Sequence, residues 1–181
     1  MPAIRRSSPA DFDAIYAIWL DGLVHSFAGF DYPADLREQF HHNFVTCRTP
    51  FGFWVAETAG NVVGWQSLLP CTSNPMKRHL LAESSTYIAP GSQSNGAGEA
   101  LLRAALAWAG TAGLQFVLAY TLVSNTAVGR LYERCGFVPA GQLPPPHSPP
   151  LYGPKVFWSY AIEPVAAAEQ PIQAASSFPR P

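Results

Sequence analysis

The chain carries few charges and almost no lysine. Only 13% of its 181 residues are charged, and the formal net charge is −1. Lys77 and Lys155 are the two lysines, and no run of basic residues occurs. Binding to a phosphate backbone depends on clustered Lys and Arg, so we expect no nucleic-acid partner.

Long apolar runs and paired cysteines are absent as well. No apolar run reaches the roughly 20 residues that a membrane helix needs, and no apolar signal core follows the charged start. The cysteines, Cys47, Cys71 and Cys135, are odd in number, widely spaced and without a Cys-x-x-Cys pair. We therefore expect reduced thiols in the cytoplasm, no membrane contact and no zinc site.

The remaining composition is that of a globular protein, with 48% apolar residues. We expect one domain over residues 1–163 and a disordered tail over residues 164–181, which are rich in Ala, Gln, Ser and Pro. The proline-rich segment Pro139–Pro154 is expected to be an extended, largely unpaired excursion between strands.

Apolar periodicity predicts an alternation of strands and helices. Strands are expected at Ala3–Arg6, Phe53–Glu57, Val62–Leu69, Leu80–Ile88, Phe116–Leu122 and Lys155–Glu163. Helices are expected from Ser8 to about Leu23, over Pro33–Asn43, from Glu99 to about Gly110, and over Asn125–Cys135 with Gly136 as a C-cap.

A glycine-bearing turn, Gln93–Gly98, joins a predicted strand to a predicted helix. This order directs unpaired backbone N–H groups and the positive end of a helix at one point, which favours phosphate binding. Gly96 and Gly98 lack a Cβ and therefore let a diphosphate approach the backbone. The spacing fits neither a GxGxxG dinucleotide site nor a GxxxxGK[ST] loop.

A second block, Leu131–Phe137 with the sequence Leu-Tyr-Glu-Arg-Cys-Gly-Phe, ends the helix that Asn125 opens. Together with the glycine turn it resembles the GNAT superfamily of N-acetyltransferases. The resemblance implies an α/β (α+β) fold with a mixed, mostly antiparallel, splayed sheet of six or seven strands and about four helices. It also implies acetyl-CoA as co-substrate, bound by Thr86, Tyr87, Ile88, Gln93, Ser94, Asn95, Gly96, Ala97, Gly98 and Asn125. Asn125 could equally serve as a helix N-cap, and both roles can hold.

Within this superfamily, Glu83–Tyr87 resembles the corresponding strand of phosphinothricin acetyltransferases, which places Glu83 as the general base. The alternative for Glu83 is a solvent-facing strand residue. The resemblance places Tyr132 as the general acid for the departing thiolate, because a phenol is protonated at neutral pH. The alternative for Tyr132 is a packed helix aromatic.

The loop Val24–Tyr32 is the candidate acceptor site, because the loop after the first helix borders that site in the superfamily. Its candidate contact residues are His25, Phe27, Phe30, Asp31 and Tyr32. The same aromatics could form a lid, a dimer contact or plain core. The five histidines include no pair at metal-ligand spacing completed by a carboxylate or Cys, so we expect no metal.

We expect an acetyl-CoA-dependent N-acetyltransferase that transfers acetyl directly to the amine of a small molecule, such as an amino-acid-like metabolite, an antibiotic or a toxin. One rival is acetylation of a protein N-terminus or lysine. The other is an acyl-CoA-binding partner protein without turnover. A homodimer is a further expectation, from the aromatic loops and the apolar last strand.

Overall fold

The structure, a computed structural model, describes residues 1–26, 32–93, 95–145 and 153–163. The strands of the described part are β1 Ala3–Arg6, β2 Gly52–Thr58, β3 Asn61–Pro70, β4 Leu81–Ile88, β5 Phe116–Leu122, β6 Val138–Leu143 and β7 Lys155–Ala161. Its α-helices are α1 Phe12–Ser26, α2 Leu36–Thr46, α3 Ala97–Thr111 and α4 Thr126–Arg134, and a 3-10 turn, Pro9–Asp11, precedes α1. None of these helices has the length and apolarity needed to cross a membrane.

The strands form one sheet in the order β1-β2-β3-β4-β5-β7-β6. Every neighbouring pair is antiparallel except β4 and β5, which run parallel. Side chains alternate between the two faces of a strand. One face packs against α3 and α4 through residues such as Ala82 and Leu101, and the other packs against α1 and α2 through residues such as Trp65. The expected fold class is therefore confirmed.

Two helices extend further towards the C-terminus than expected. The structure continues α1 to Ser26, so His25 lies in the last turn of the helix and not in a loop. It places α2 at Leu36–Thr46, about three residues after the predicted start at Pro33. Apolar residues continue past the predicted end of α2 to Phe44, which packs on Phe53 of the sheet with ring centroids 5.0 Å apart. This contact favours helix through the last turn of α2.

The expectation that Pro139–Pro154 is largely unpaired is wrong for its first part. Val138–Leu143 forms strand β6, which pairs antiparallel with β7. Pro139 is tolerated because β6 is an edge strand and its register is irregular between Pro139 and Gly141. Residues 146–152 and the tail, 164–181, lie outside the described residues, so the expected tail stays a prediction.

A paired carboxylate holds the start of α1 to the first strand. Asp11 is buried, and its two oxygens accept hydrogen bonds of 2.8 Å from Arg5 Nη1 and Nη2. The Ser8 N–H and Oγ also donate to Asp11 Oδ2, at 2.6 and 2.9 Å. Hydrogen bonding from Arg5, followed in weight by that from Ser8, holds the pKa of the Asp11 carboxyl well below its usual range.

Replacing Asp11 with asparagine should destabilise the fold by about 1–2 kcal/mol at pH 7, because charge-assisted hydrogen bonds are lost at a buried site. Since the folded-state pKa of Asp11 is lowered, its stabilisation is present above the unfolded value. It is lost as the pH falls through the folded-state pKa. The difference in unfolding free energy from wild type should therefore shrink on acidification, as urea melts at several pH values would measure.

The matched control is Asp13→Asn, at an exposed acid in the next turn that pairs with Arg37 at 2.7 Å. Exposed ion pairs contribute about 0–1 kcal/mol. Equal destabilisation by the two substitutions would contradict the assigned role of Asp11.

Candidate active site

The sheet opens between β4 and β5. These parallel strands pair only from Leu81–Phe116 to Glu83–Leu118. The Ala89 N–H donates to the Val63 carbonyl of β3, and the β3–β4 register continues this ladder through the odd-numbered residues of β4. The N–H groups of Thr86 and Ile88 therefore face β5 beyond the last pair. We call this gap the β4–β5 opening, with Ser84–Ile88 on one side and Ala119–Leu122 on the other.

The glycine turn lies where β4 leads into α3. Gly96 is the N-cap residue with φ +83°, a left-handed conformation that glycine adopts without strain. Helical bonding starts with Ala100 N–H donating to the Gly96 carbonyl, so the N–H groups of Gly98 and Glu99 have no intrahelical acceptor. The Asn95 Oδ1 accepts from the Ala97 N–H at 3.0 Å and shapes the turn.

This turn offers the N–H groups of a helix N-terminus, the kind of backbone site that binds phosphate. A Cβ added to Gly98 would lie 3.4 Å from Leu131 Cδ2 and 3.8 Å from Ile88 Cγ1, at the mouth of the β4–β5 opening. A glycine there keeps the path from the turn to the opening clear. Gln93 is exposed beside the turn, and Ser94 lies outside the described residues. The cofactor roles of these residues stay predictions.

Glu83 lies at the closed end of the opening. Its side chain shares a face of β4 with Tyr87, which packs in the cluster under α1 and α2. Glu83 is half-buried, not solvent-facing. Burial raises the pKa of its carboxyl, and the charge of Lys155 opposes part of that rise. Such a carboxylate is a stronger base than an exposed one.

Tyr132 reaches the other face of the same opening from α4. Its side chain is 3% exposed and packs against Phe137 and Trp158, with ring centroids 4.9 and 5.8 Å away. Ser84 and Thr86 lie on the face of β4 that packs towards Tyr132, because they alternate with Ala82 of the same core cluster. Burial raises the pKa of this phenol, so it is fully protonated at neutral pH. Tyr132 is thus a packed aromatic, and its role as a proton donor stays a prediction.

Asn125 caps α4, as its Oδ1 accepts from the Val128 N–H at 3.2 Å. The N-cap alternative therefore holds, and its exposed amide nitrogen is free to serve a ligand as well. Thr86 and Ile88 line the opening, whereas Tyr87 points to the opposite face and stacks on Trp65 at 4.9 Å. The cofactor roles of Thr86, Tyr87 and Ile88 stay predictions.

The acceptor residues proposed from the sequence are only partly placed. His25 ends α1, and its side chain lies outside the described part, as do Phe27, Phe30 and Asp31. Tyr32 is half-buried ahead of α2. Within the described residues, no group of three or more His, Cys, Asp or Glu could hold a metal ion.

A basic cavity of about 460 Å³ was not foreseen from the sequence. Arg48 lines it after α2, and Arg78 and His79 line it from the loop before β4. Leu69, which pairs with Glu83 across β3 and β4, forms part of its wall. None of the described lining residues is acidic. Its cations come from two segments 30 residues apart, and no local spacing indicated that they meet.

The profile of the acetyltransferase (GNAT) family matches residues 12–137. The chain belongs to the acetyltransferase (GNAT) family. Membership confirms the resemblance at the level of the superfamily and the expected enzyme class, an acetyltransferase. The acceptor, the roles of individual residues and the partners remain proposals.

Solved structures with different acceptors are similar to this GNAT chain. A GNAT superfamily phosphinothricin acetyltransferase from Sinorhizobium meliloti, in complex with AcCoA, is 19% identical to this chain. The TM-score is 0.79, over 96% of this chain and 94% of that one. A ribosomal-protein-alanine N-acetyltransferase from Brucella melitensis is 25% identical with a TM-score of 0.75, over 88% and 99% of the two chains.

The rat protein "N-acetyltransferase family 8 member 3" (Rattus norvegicus) is 28% identical over 110 residues, which are 61% of this GNAT chain. The match spans 46% of that protein, so the chain corresponds to about half the length of this curated relative. The names of these proteins share acetyl transfer, and two of them name different acceptors.

Proposed function

We propose that this protein transfers the acetyl group of acetyl-CoA directly to the amine of a small, amino-acid-like acceptor, as phosphinothricin-type acetyltransferases do. The observation that carries the proposal is the placement of Glu83 and Tyr132. They approach the same β4–β5 opening from opposite faces of the sheet, and the opening leads to the glycine turn. A base and an acid then flank one thioester.

Glu83 acts on the acceptor. An alkylammonium group, with a pKa near the lysine value of about 10, must lose a proton before it attacks. The raised pKa of Glu83 suits it to take that proton, directly or through a water. The amine nitrogen then bonds to the thioester carbon. The Ile88 N–H, which faces the opening, is a candidate donor to the oxygen that becomes negative.

Tyr132 acts on the leaving group. As the carbon–sulfur bond breaks, the sulfur takes the electron pair and the Tyr132 hydroxyl supplies a proton, giving free CoA thiol. Glu83 holds the proton lost by the amine and Tyr132 has lost one, so exchange with solvent restores both. The products are the N-acetylated acceptor and CoA.

The basic cavity supports an acceptor that carries an anionic group. Arg78 lies five residues before Glu83. Leu69 lines the basic cavity and also pairs with Glu83 across β3 and β4. A carboxylate bound near Arg48 and Arg78 would leave the neighbouring amine directed towards Glu83. An α-amino acid or an amino-acid-like toxin has this arrangement, and its acetylation would serve self-protection.

Arg78→Ala should raise the KM for an amino-acid acceptor about tenfold or more, since a charge-assisted contact is worth about 1.5–3 kcal/mol. The KM for the decarboxylated amine should change little. Lys77→Ala, which removes the adjacent exposed cation, is the matched control. An equal loss for both acceptors would argue against carboxylate recognition by Arg78.

A protein N-terminus is the second candidate acceptor, favoured by the similarity to the ribosomal-protein-alanine N-acetyltransferase. A peptide acceptor has no free carboxylate beside its α-amine. Amino acids and short peptides with the same first residue therefore separate the two functions. Preference for the peptides would favour the second candidate.

The proposed function is tested by incubating the protein with acetyl-CoA and a panel of amino acids, decarboxylated amines and short peptides while following free thiol. Turnover with an amino-acid-like amine is the expected result. Binding of acetyl-CoA without turnover of any amine would favour a binding protein and overturn the proposal.

The proposal includes a cytoplasmic location and a homodimer. The described cysteines are free thiols, which suits a cytoplasmic protein. Exposed apolar side chains near the β6 edge, among them Val138 and Leu143, suit a homodimer. Sedimentation analysis would test the latter.

A further inference from the structure

A glutamine is fully buried on the face of the sheet that carries Tyr132. Gln66 of β3 has no exposed surface and pairs with Thr86 directly across the β3–β4 ladder. Its Nε2 donates to the Ser84 Oγ at 2.8 Å and to the Ser67 carbonyl at 2.7 Å, and its Oε1 accepts from the Thr86 Oγ1. Burying a primary amide is costly unless its hydrogen bonds are made, and here they are.

The partners of Gln66 fix the direction of each hydrogen bond. A backbone carbonyl can only accept, so the atom that contacts the Ser67 carbonyl must be the amide nitrogen. The second Nε2 hydrogen then goes to Ser84, and Oε1 must accept the Thr86 proton. Consequently Ser84 keeps its own proton to donate, whereas Thr86 can only accept from a further partner.

Ser84 and Thr86 share a face of β4 with Ala82, which packs in one cluster with Tyr132, and their hydroxyls lower the pKa of its phenol against the larger effect of burial. The ring of Tyr132 is held by Phe137 and Trp158, and Trp158 is itself fixed by a 3.0 Å hydrogen bond from its Nε1 to the Thr121 Oγ1. Ser84 is 4% exposed, so bulk water is not an alternative donor on that side of the phenol. The surroundings thus allow one acceptor and one donor for the Tyr132 oxygen.

We propose that Gln66 is a positioning residue for the general acid: it orients Thr86 to accept the Tyr132 proton at rest and Ser84 to donate to the Tyr132 oxygen once that proton has left. This inference rests on the proposed function, in which Tyr132 protonates the departing thiolate.

The step balances in charge and protons. As the carbon–sulfur bond breaks, the Tyr132 O–H bond breaks as well, its proton bonds to the sulfur instead of being donated to Thr86, and the phenolate that remains accepts a hydrogen bond from Ser84. Without Gln66, both hydroxyls can rotate, and Ser84 can present a lone pair to the phenolate instead of a proton. Loss of Gln66 would therefore slow acetyl transfer and leave the affinity for acetyl-CoA unchanged.

The test compares single-turnover rates of acetyl transfer with acetyl-CoA affinity by calorimetry. Gln66→Met keeps the side-chain volume and removes its hydrogen bonds, and Thr86→Val is the matched isostere on β4. Each should slow acetyl transfer about tenfold or more, and Gln66→Met, which lies outside the acetyl-CoA-binding residues, should change the Kd for acetyl-CoA less than threefold. Thr86→Ser should restore most of the rate lost in Thr86→Val, and the exposed Gln39→Met should match wild type.

A cycle with Tyr132→Phe distinguishes positioning from general damage. If Gln66 acts through Tyr132, Gln66→Met should slow transfer in wild type and have little further effect in Tyr132→Phe. Two results would overturn this inference and leave the general-acid assignment intact. The first is equal slowing by Gln66→Met in wild type and in Tyr132→Phe. The second is impaired transfer by Tyr132→Phe while neither Gln66→Met nor Thr86→Val slows transfer. Unimpaired transfer by Tyr132→Phe would overturn the general-acid assignment and this inference together.

Discussion

Glu83→Gln is expected to lower the rate of acetyl transfer by about 10²- to 10⁴-fold, the usual contribution of a general base. The amide keeps the size of the side chain and cannot take a proton from the amine. Glu83 faces away from Tyr132 and the glycine turn, so the Kd for acetyl-CoA should change little. In wild type the rate should fall as the pH drops through the raised pKa of Glu83, whereas the residual rate of the variant should lack that dependence.

The same substitution should leave the fold as stable as wild type, or more stable, at neutral pH. Burial raises the folded-state pKa of Glu83, so the folded protein binds its proton more tightly than the unfolded chain does. The ionised side chain therefore destabilises the fold above that pKa, and the penalty disappears as the pH falls below the unfolded value. Melting temperatures of the two proteins should diverge at pH 7 and converge in acid.

Glu133→Gln is the matched control, because Glu133 is an exposed carboxylate next to Tyr132. It should retain the wild-type rate and its pH dependence. A Glu83→Gln protein that transfers acetyl within threefold of wild type would exclude Glu83 as the base, whichever amine is used.

The parts of the site that could be predicted are those encoded by neighbouring residues. The glycine turn follows a strand and opens a helix within one short segment, so its backbone geometry is local. Gly136, with φ +89°, ends α4 as a C-cap glycine should. Glu83 and Tyr132 were identified through the family resemblance of the segments around them, since neither residue carries a decisive signal by itself.

The parts that could not be predicted depend on strand register. Gln66 and Thr86 become partners only because β3 and β4 pair antiparallel at one particular offset. Similarly, Pro139 suggests an unpaired segment until the sheet order shows that β6 is an edge strand, where a missing N–H is tolerated. A slip of one residue would move Gln66 to the other face, and no local pattern distinguishes these registers.

Gly98→Val is expected to weaken acetyl-CoA binding about tenfold to a hundredfold. The added side chain would start 3.4 Å from Leu131 and 3.8 Å from Ile88 and would extend into the mouth of the β4–β5 opening. The side chain would occupy space that the diphosphate needs when it approaches the backbone, and a tenfold to hundredfold change in Kd corresponds to about 1.4–2.8 kcal/mol of binding free energy. Gly98→Ala should show a smaller effect in the same direction, and calorimetry with acetyl-CoA measures both.

Gly110→Ala separates this effect from a change in the helix itself. Gly110 lies in the same helix, α3, where an added Cβ would lie 3.8 Å from Ile162, far along the helix from the turn. Both alanine variants should gain up to about 1 kcal/mol of helix stability, but only Gly98→Ala should lose affinity for acetyl-CoA. If Gly98→Val binds acetyl-CoA as tightly as Gly110→Ala does, the cofactor does not pass between α3 and β4, and the assignment of the diphosphate to the turn at Gly96–Gly98 fails with it.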